Sequence, residues 1–303
     1  MLNPQQTGLI FGLAAYTIWG FFPLFFHYLA HVSPLEVLSQ RIIWSFLFVT
    51  AIVLLFGSWQ KILTAWRSPV TRRAMLLASV LISINWLTFI WAVTSGKVLE
   101  SSFGYFLTPL VSVLLARVFL GEQLDGYRLI ACILAVIGVL WQIIALQLLP
   151  WISLTVACSF GLYGLVRKKA NTDSLTGLGV ETGLLLPLAL AYWGWLEWQQ
   201  SSQFLSEGLN TTLLMMASGA LTAIPLLLFA AATKKLSLIA VGFMMYINPT
   251  IQFLIGVYLF NEPFSVHQLI SFCFIWVALV IFSLGAVRQN KKSIKLNSNE
   301  LTD

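Results

Sequence analysis

The chain predicts an all-α integral membrane protein: ten transmembrane helices arranged as two inverted five-helix repeats, with both termini in the cytoplasm. Three observations lead there. Ten apolar stretches, each long enough to cross a bilayer at roughly 20 residues per crossing, fill almost the whole chain of 303 residues. Only 9% of residues are charged while 59% are hydrophobic, and a soluble domain carries about 25% charged residues. Finally, Lys and Arg fall into groups that share one face of the membrane once ten crossings are counted.

The first span, 7–28, has no basic residue before it. Its apolar run is too long for a signal-peptide core, and no small-residue cleavage site follows Phe25, Phe26 and His27, so a retained helix is expected. The second, 35–56, holds Glu36 near its start and Arg41 further in. The third, 73–94, carries Asn85 and Trp86 near its middle, and the fourth, 98–119, carries Tyr105, Thr108 and Pro109. The fifth is 127–146. Pro150 opens the sixth, 149–166, which contains Tyr163. Glu181 stands early in the seventh, 177–196. The eighth, 210–231, precedes a ninth, 237–260, with Tyr246, Asn248 and Pro249, and the tenth is 265–286. Loops are short, and only the polar tail is expected to be disordered. The chain therefore divides into a five-helix unit at 1–146, a second at 147–288, and a cytoplasmic tail at 289–303.

Charge supports the count. With ten spans, Lys61, Arg67, Arg72, Arg73, Arg117, Arg128, Arg167, Lys168, Lys169, Lys234, Lys235, Arg288, Lys291, Lys292 and Lys295 all lie on one side, leaving Lys97 in an opposite turn and Arg41 within a span. Removing or adding a span scatters them. The net charge of +6 is thus a membrane-orientation signal and no nucleic-acid partner is expected.

Five spans per unit is an odd number, so two like-folded units must enter the membrane from opposite sides. Sliding 85–141 onto 225–281 without a gap brings Pro109 onto Pro249, Glu122 onto Glu262, Phe89 onto Phe229, and the turn 94–97 onto 234–237. A similar offset brings Gly20 near Gly164.

Mid-helix prolines break one backbone bond each and free a carbonyl four residues earlier. Pro109 and Pro249 either kink helices for packing or border a central cavity, with Tyr105 and Thr108 beside one and Tyr246 and Asn248 beside the other. Arg41 and Glu181 are costly inside a span unless paired, hydrated or within snorkelling reach of the interface. Glu36 and Glu100 read as interface residues, and Glu122 and Glu262 as caps or partners of neighbouring helices. Asn85 with Trp86 serves helix–helix bonding or solute contact. Tyr16, Trp19 and Tyr163 sit deeper than an aromatic belt and are candidates to line a cavity. Cys132, Cys158 and Cys273 are expected as buried small apolar residues, and His27 with His31 as interface histidines; neither metal nor cofactor is expected.

Several segments together resemble one family: 14–20 (AAYTIWG), 41–45 (RIIWS), 85–93 (NWLTFIWAV), 104–110 (GYFLTPL), 163–169 (YGLVRKK) and 274–279 (FIWVAL). The chain is similar over 5–286 to the EamA family of the drug/metabolite transporter superfamily, and within it to RarD-type permeases. That resemblance implies ten helices, two inverted repeats and a multi-pass permease of the bacterial inner membrane. RarD-type proteins are linked by name to chloramphenicol, and other members of the wider family export amino acids and related metabolites. Thr108 departs from the Asn that relatives often carry before the proline.

The expected function is secondary-active movement of a small organic solute, a drug or metabolite with amino-acid-like compounds included, by alternating access, with efflux the expected direction. The expected partners are that solute and membrane lipid, the chain acting as monomer or homodimer. No phosphate-binding loop points to ATP. The alternative is an integral-membrane enzyme acting on a lipid or isoprenoid, which needs clustered carboxylates or histidines that the chain scatters.

Overall fold

A computed structural model describes residues 4–55, 59–121, 123–170, 172–236 and 238–300, with the side chains of 238–239 and 289–300 set aside. Among the described residues all regular structure is helical, and nine helices or helix runs are long and apolar enough to cross a membrane. The protein is an all-α membrane protein.

The first span is two pieces, α1 (Pro4–Gly20) and α2 (Phe22–His27), because Pro23 brings no N–H and falls in the first turn of α2, where none is needed. Then come α3 (Pro34–Leu55) and a short surface helix, α4 (Trp59–Arg67), which the sequence reading had as a loop. Ser68 caps α5 (Pro69–Thr94), its hydroxyl accepting from Thr71 N–H at 3.3 Å, with Pro69 at the first helical position. Helix α6 (Val98–Leu120) stays one α-helix through Pro109. Asp125 caps α7 (Gly126–Leu146).

The sixth expected span is α8 (Trp151–Ala170), long enough but not apolar enough to count among the nine. Its serines, Tyr163 and the closing Arg167, Lys168 and Lys169 lower the average, and α5 and α6 flank it. Asp173 caps α9 (Ser174–Trp198), which leads to α10 (Leu209–Thr233). Burial alone raises the Asp173 carboxyl, but the N–H and hydroxyl of Thr176, with Lys61 and Arg167 nearby, hold it below its ordinary value.

The ninth span is interrupted. Helix α11 (Leu238–Met244) ends, α12 (Ile247–Leu254) restarts, and a π-helical turn (Ile255–Leu259) finishes the run. Pro249 therefore sits in the first turn of α12, where its missing N–H costs little, and marks a break instead of the expected mid-helix kink. Helix α13 (Val266–Glu300) follows.

Helix α3 packs on α9 and α10, α1 on α10 and α12, α8 on α5 and α6, α6 on α12, and α7 on α13. Two approaches require glycine. A Cβ at Gly219 of α10 would stand 2.3 Å from the Trp44 carbonyl carbon of α3, and one at Gly104 of α6 would stand 2.6 Å from the Ser153 carbonyl oxygen of α8. One apolar core gathers α2, α3, α5, α9 and α10 around Phe26, Ile42, Phe89 and Met215; another gathers α6, α7, α12 and α13 around Phe103, Phe106 and Phe272. Outward, α7 exposes Ile130, Ile133, Ile137, Leu140 and Ile144 along one face, an apolar stripe suited to the hydrocarbon of a membrane.

Two carboxylates tie loops to helices. Glu36, expected at the interface, is buried; its Oε1 accepts from Gln203 N–H at 2.7 Å, Phe204 N–H at 3.0 Å and the Ser202 hydroxyl at 3.2 Å. Glu262 accepts from Val98 N–H at 2.6 Å and Leu99 N–H at 2.8 Å, joining the end of the ninth span to the N-terminus of α6. Burial pushes its carboxyl up from the ordinary range against the pull of those two bonds. Glu122 lies outside the described residues. Cys132 is buried as expected, but Cys158 of α8 and Cys273 of α13 are exposed. His27 stacks on Phe260 at 4.5 Å and His31 bonds the Thr211 hydroxyl at 3.1 Å. Among the described residues no group of three His, Cys, Asp or Glu side chains could hold a metal.

Candidate functional site

A cavity of about 300 Å³ lies at the centre of the bundle. Each contributing helix presents one face to it. From α5 come Ile82, Asn85, Trp86 and Phe89, spaced as one helical stripe. From α8 come Phe160, Tyr163 and Arg167, and from α10 Thr222, Leu226 and Phe229. Around the break of the ninth span, Met245, Asn248, Pro249 and Gln252 repeat the stripe of α5. Tyr16 and Trp19 enter from α1, Phe22 from α2, Arg41 from α3, Tyr105 and Thr108 from α6, and Ser174 and Leu178 from α9.

Nine of the eleven residues singled out for solute contact thus meet in one cavity: Tyr16, Trp19, Arg41, Asn85, Trp86, Tyr105, Thr108, Tyr163 and Asn248. Two do not. Tyr246 stands next to the cavity-facing Met245 in the turn between α11 and α12, and does not line the cavity. It packs in the core of α6, α12 and α13 and hydrogen-bonds Ser283. Glu181 is buried behind the wall, only 1% exposed, where its carboxylate accepts from Arg167 Nη1 and from the Tyr163 hydroxyl, both at 3.2 Å. Neither Glu181 nor Arg41 is an interface anchor. Pro249 lines the cavity and Pro109 does not.

The walls are aromatic. Tyr16, Trp19 and Phe229 form one cluster with ring centres 5.4 to 6.0 Å apart. Phe89, Tyr105, Phe160 and Tyr163 form another at 5.9 to 6.2 Å. Arg41, also in the lining, is 3% exposed. Its guanidinium carbon lies 4.1 Å from the Trp86 ring centre, with Phe26 and Phe22 at 5.4 and 5.6 Å, and Nε donates to the Thr222 hydroxyl at 2.7 Å. Asn85 serves both readings offered for it: its amide donates to Val156 O at 3.0 Å and Ser159 Oγ at 3.1 Å, while Oδ1 accepts from the Tyr105 hydroxyl at 3.1 Å.

Sequence reasoning missed Phe89, Phe160, Thr222, Phe229, Gln252 and Arg167. One signal was available. Ile82 and Thr222, Trp86 and Leu226, Phe89 and Phe229, Tyr105 and Met245, and Thr108 and Asn248 all line the cavity, and each pair is separated by the offset that superimposes Pro109 on Pro249.

A multi-helix membrane bundle around a buried, aromatic cavity with a few convergent polar groups has the construction of a membrane transporter. The EamA-like transporter family model matches residues 6–144. Protein RarD of Salmonella typhimurium is 41% identical over 293 residues, covering 96% of this chain and 100% of that protein. An uncharacterized transporter of Bacillus subtilis, YojE, is 40% identical over 95% of this chain and 97% of its own length, and the chloramphenicol-sensitive protein RarD of Pseudomonas aeruginosa is 32% identical over 95% and 97%. A crystal structure 15% identical in sequence shares the fold at a TM-score of 0.58, across 94% of this chain and 99% of that one. The chain belongs to the EamA family of drug/metabolite transporters, among its RarD-type permeases, and is a multi-pass protein of the bacterial inner membrane.

Proposed function

We propose that the protein is a secondary permease that exports a small organic solute through the central cavity by alternating access. In this reading the membrane is crossed ten times, α8 being the tenth crossing, and 1–146 and 147–288 form two inverted repeats with both termini in the cytoplasm.

The observation that carries it is the set of cavity residues at a constant offset. Positions that occupy equivalent places in the two halves face one common cavity, as a pseudo-two-fold axis in the membrane plane requires. Helix packing supports the same symmetry. Exchanging first for sixth, second for seventh, third for eighth and fourth for ninth spans turns the α1–α10 contact into α8–α5, α1–α12 into α8–α6, and α3–α10 into α9–α5, and each is present. Such a molecule has two related ways to open, one toward each compartment.

A solute is a better match than a membrane-enzyme substrate. Glu36 and Glu262 are committed to backbone N–H groups and Glu181 to Arg167, which leaves none of the three placed for acid–base chemistry. The name of the Pseudomonas relative points to chloramphenicol as one compound to try.

The test is counterflow in proteoliposomes containing the purified protein, with chloramphenicol and a panel of amino acids and aromatic metabolites. Trp19→Ala and Tyr105→Ala are expected to cut exchange of any accepted solute at least tenfold while leaving the folded yield intact. Exchange unchanged by both variants sinks the cavity reading. Separately, labelling cysteines introduced at Lys169 and Gln200 on a common membrane face rejects the inverted arrangement.

A further inference from the structure

We infer that the cavity selects an organic anion, a largely planar solute bearing one carboxylate, which docks on the Arg41 guanidinium; this rests on the permease reading above.

The inference starts from what Arg41 lacks. Its side chain is 97% buried, being 3% exposed, yet Nη1 has no hydrogen-bond partner among the described residues. Nε is taken by Thr222, and the guanidinium carbon lies over the Trp86 ring, 4.1 Å from its centre. Nη1 is itself enclosed, so the part of the fork left to meet a carboxylate is Nη2, which makes no hydrogen bond among the described residues. A buried charge is normally paired, because desolvation leaves it otherwise uncompensated. Among the described residues that line the cavity, none is a carboxylate.

The other cation in the wall sharpens the contrast. Arg167 also faces the cavity, but Glu181 behind it neutralises it at 3.2 Å, and its Nη2 donates to Asp173 O. The cavity therefore keeps one uncompensated positive charge, at Arg41. A cationic solute adds to that charge and a zwitterion leaves it standing. An anion cancels it.

The remaining lining says what the anion carries. The two aromatic clusters in the lining favour a flat apolar body. Gln252 lines the cavity, 1% exposed; its Nε2 donates to Asn248 Oδ1 at 2.7 Å, and its Oε1 has no partner. A buried acceptor without a donor calls for an N–H or O–H on the solute. Indole-3-acetate has all three features: a carboxylate, a planar ring and one N–H.

The experiment is calorimetric titration of the purified full chain in detergent with indole-3-acetate, indole-3-acetamide, tryptamine and tryptophan. The acid is expected to bind at least tenfold tighter than the amide, with the amine weakest. Arg41→Gln is expected to bring acid and amide within twofold of each other. Arg41→Lys keeps the charge without the fork and is expected to retain acid preference at reduced affinity. The wild-type comparison stands without any variant. Equal or tighter binding of amide, amine or zwitterion overturns the inference, as does no binding of the acid at millimolar concentration or an acid preference that survives Arg41→Gln. If a neutral or cationic analogue wins and its binding still depends on Trp86, tested by Trp86→Ala, only the anion inference falls. Binding indifferent to both Arg41 and Trp86 removes the cavity reading with it.

Discussion

The Arg41 guanidinium carbon lies 4.1 Å from the centre of the Trp86 ring, and this contact between α3 and α5 holds the cation at the cavity wall. A desolvated contact of this kind contributes about 2 kcal/mol. Trp86→Leu keeps apolar bulk but removes the ring face, so Arg41 loses its support. Thermal unfolding should show a loss of roughly 1–2 kcal/mol, and exchange in proteoliposomes should fall about tenfold. Trp86→Phe keeps a ring and should retain most of both. If Leu and Phe behave alike, the stacking is incidental.

Glu181 and Arg167 form a pair whose members do not lose equally. The Glu181 side chain is 2% exposed and that of Arg167 14%, so the arginine is partly hydrated. Glu181→Gln leaves Arg167 with the Asp173 carbonyl and the Met75 sulfur. Full burial would set the penalty for an orphaned charge at roughly 3–5 kcal/mol; partial hydration reduces it here to about 1–3 kcal/mol. The double variant Glu181→Gln with Arg167→Gln removes both charges and should recover part of the loss. A double-mutant cycle on unfolding midpoints reads this directly, and strictly additive effects would show that the pair is not coupled.

Close packing of α3 on α10 gives a third expectation. A Cβ at Gly219 meets the Trp44 carbonyl carbon at 2.3 Å and the Ser45 nitrogen at 2.6 Å, and backbone cannot swing aside as a side chain can. Gly219→Val should destabilise by at least the 1–3 kcal/mol typical of overpacking, seen as a lower yield of monodisperse protein and a lower unfolding midpoint. Gly164, whose added Cβ meets nothing within 4 Å, is the control. Gly164→Ala should be neutral or stabilise by about 0.5–1 kcal/mol through helix propensity. Equal effects at the two positions would contradict the packing.

Much of this architecture was legible because apolar length, basic turns and capping residues are local signals. Most span boundaries fall within a few residues of the helices and Pro150 precedes a real start, while Ser68 and Asp173 cap helices that begin a few residues before the spans placed at 73 and 177. The misses are long-range or rotational. Depth along the second and seventh spans put Arg41 and Glu181 within snorkelling reach, but their burial depends on Phe26, Trp86, Tyr163 and Arg167 from other helices. Tyr246 was expected in the cavity by its chemistry, but in the turn between α11 and α12 its neighbour Met245 lines the cavity instead. The repeat offset would have named Met245 as the partner of Tyr105, and Phe229 as the partner of Phe89. Side-chain type outweighed register in that reading, and register was the better guide.

Asp173 contributes a pH dependence of definite sign. Its carboxylate accepts from Thr176 N–H at 2.9 Å and the Thr176 hydroxyl at 2.8 Å at the start of α9, and it is held below its ordinary value. The sign follows from linkage: a carboxyl depressed in the folded state stabilises fully above its unfolded value of about 3.9, and that contribution disappears as pH falls through the lower folded value. Asparagine caps helices nearly as well as aspartate but has no charge for the helix dipole, Lys61 or Arg167. At neutral pH, Asp173→Asn should therefore cost only about 0.3–1 kcal/mol, as expected for a solvent-exposed charge at a helix start. The gap between wild type and variant should stay constant down to about pH 4 and close below it. Asp173→Ala loses the cap itself and should remain about 1 kcal/mol less stable than asparagine at every pH. Unfolding midpoints of the three proteins between pH 3 and 7 test this. A gap that widens on acidification would mean that the aspartate is raised, not depressed, in the folded protein, and that burial outweighs its two hydrogen bonds.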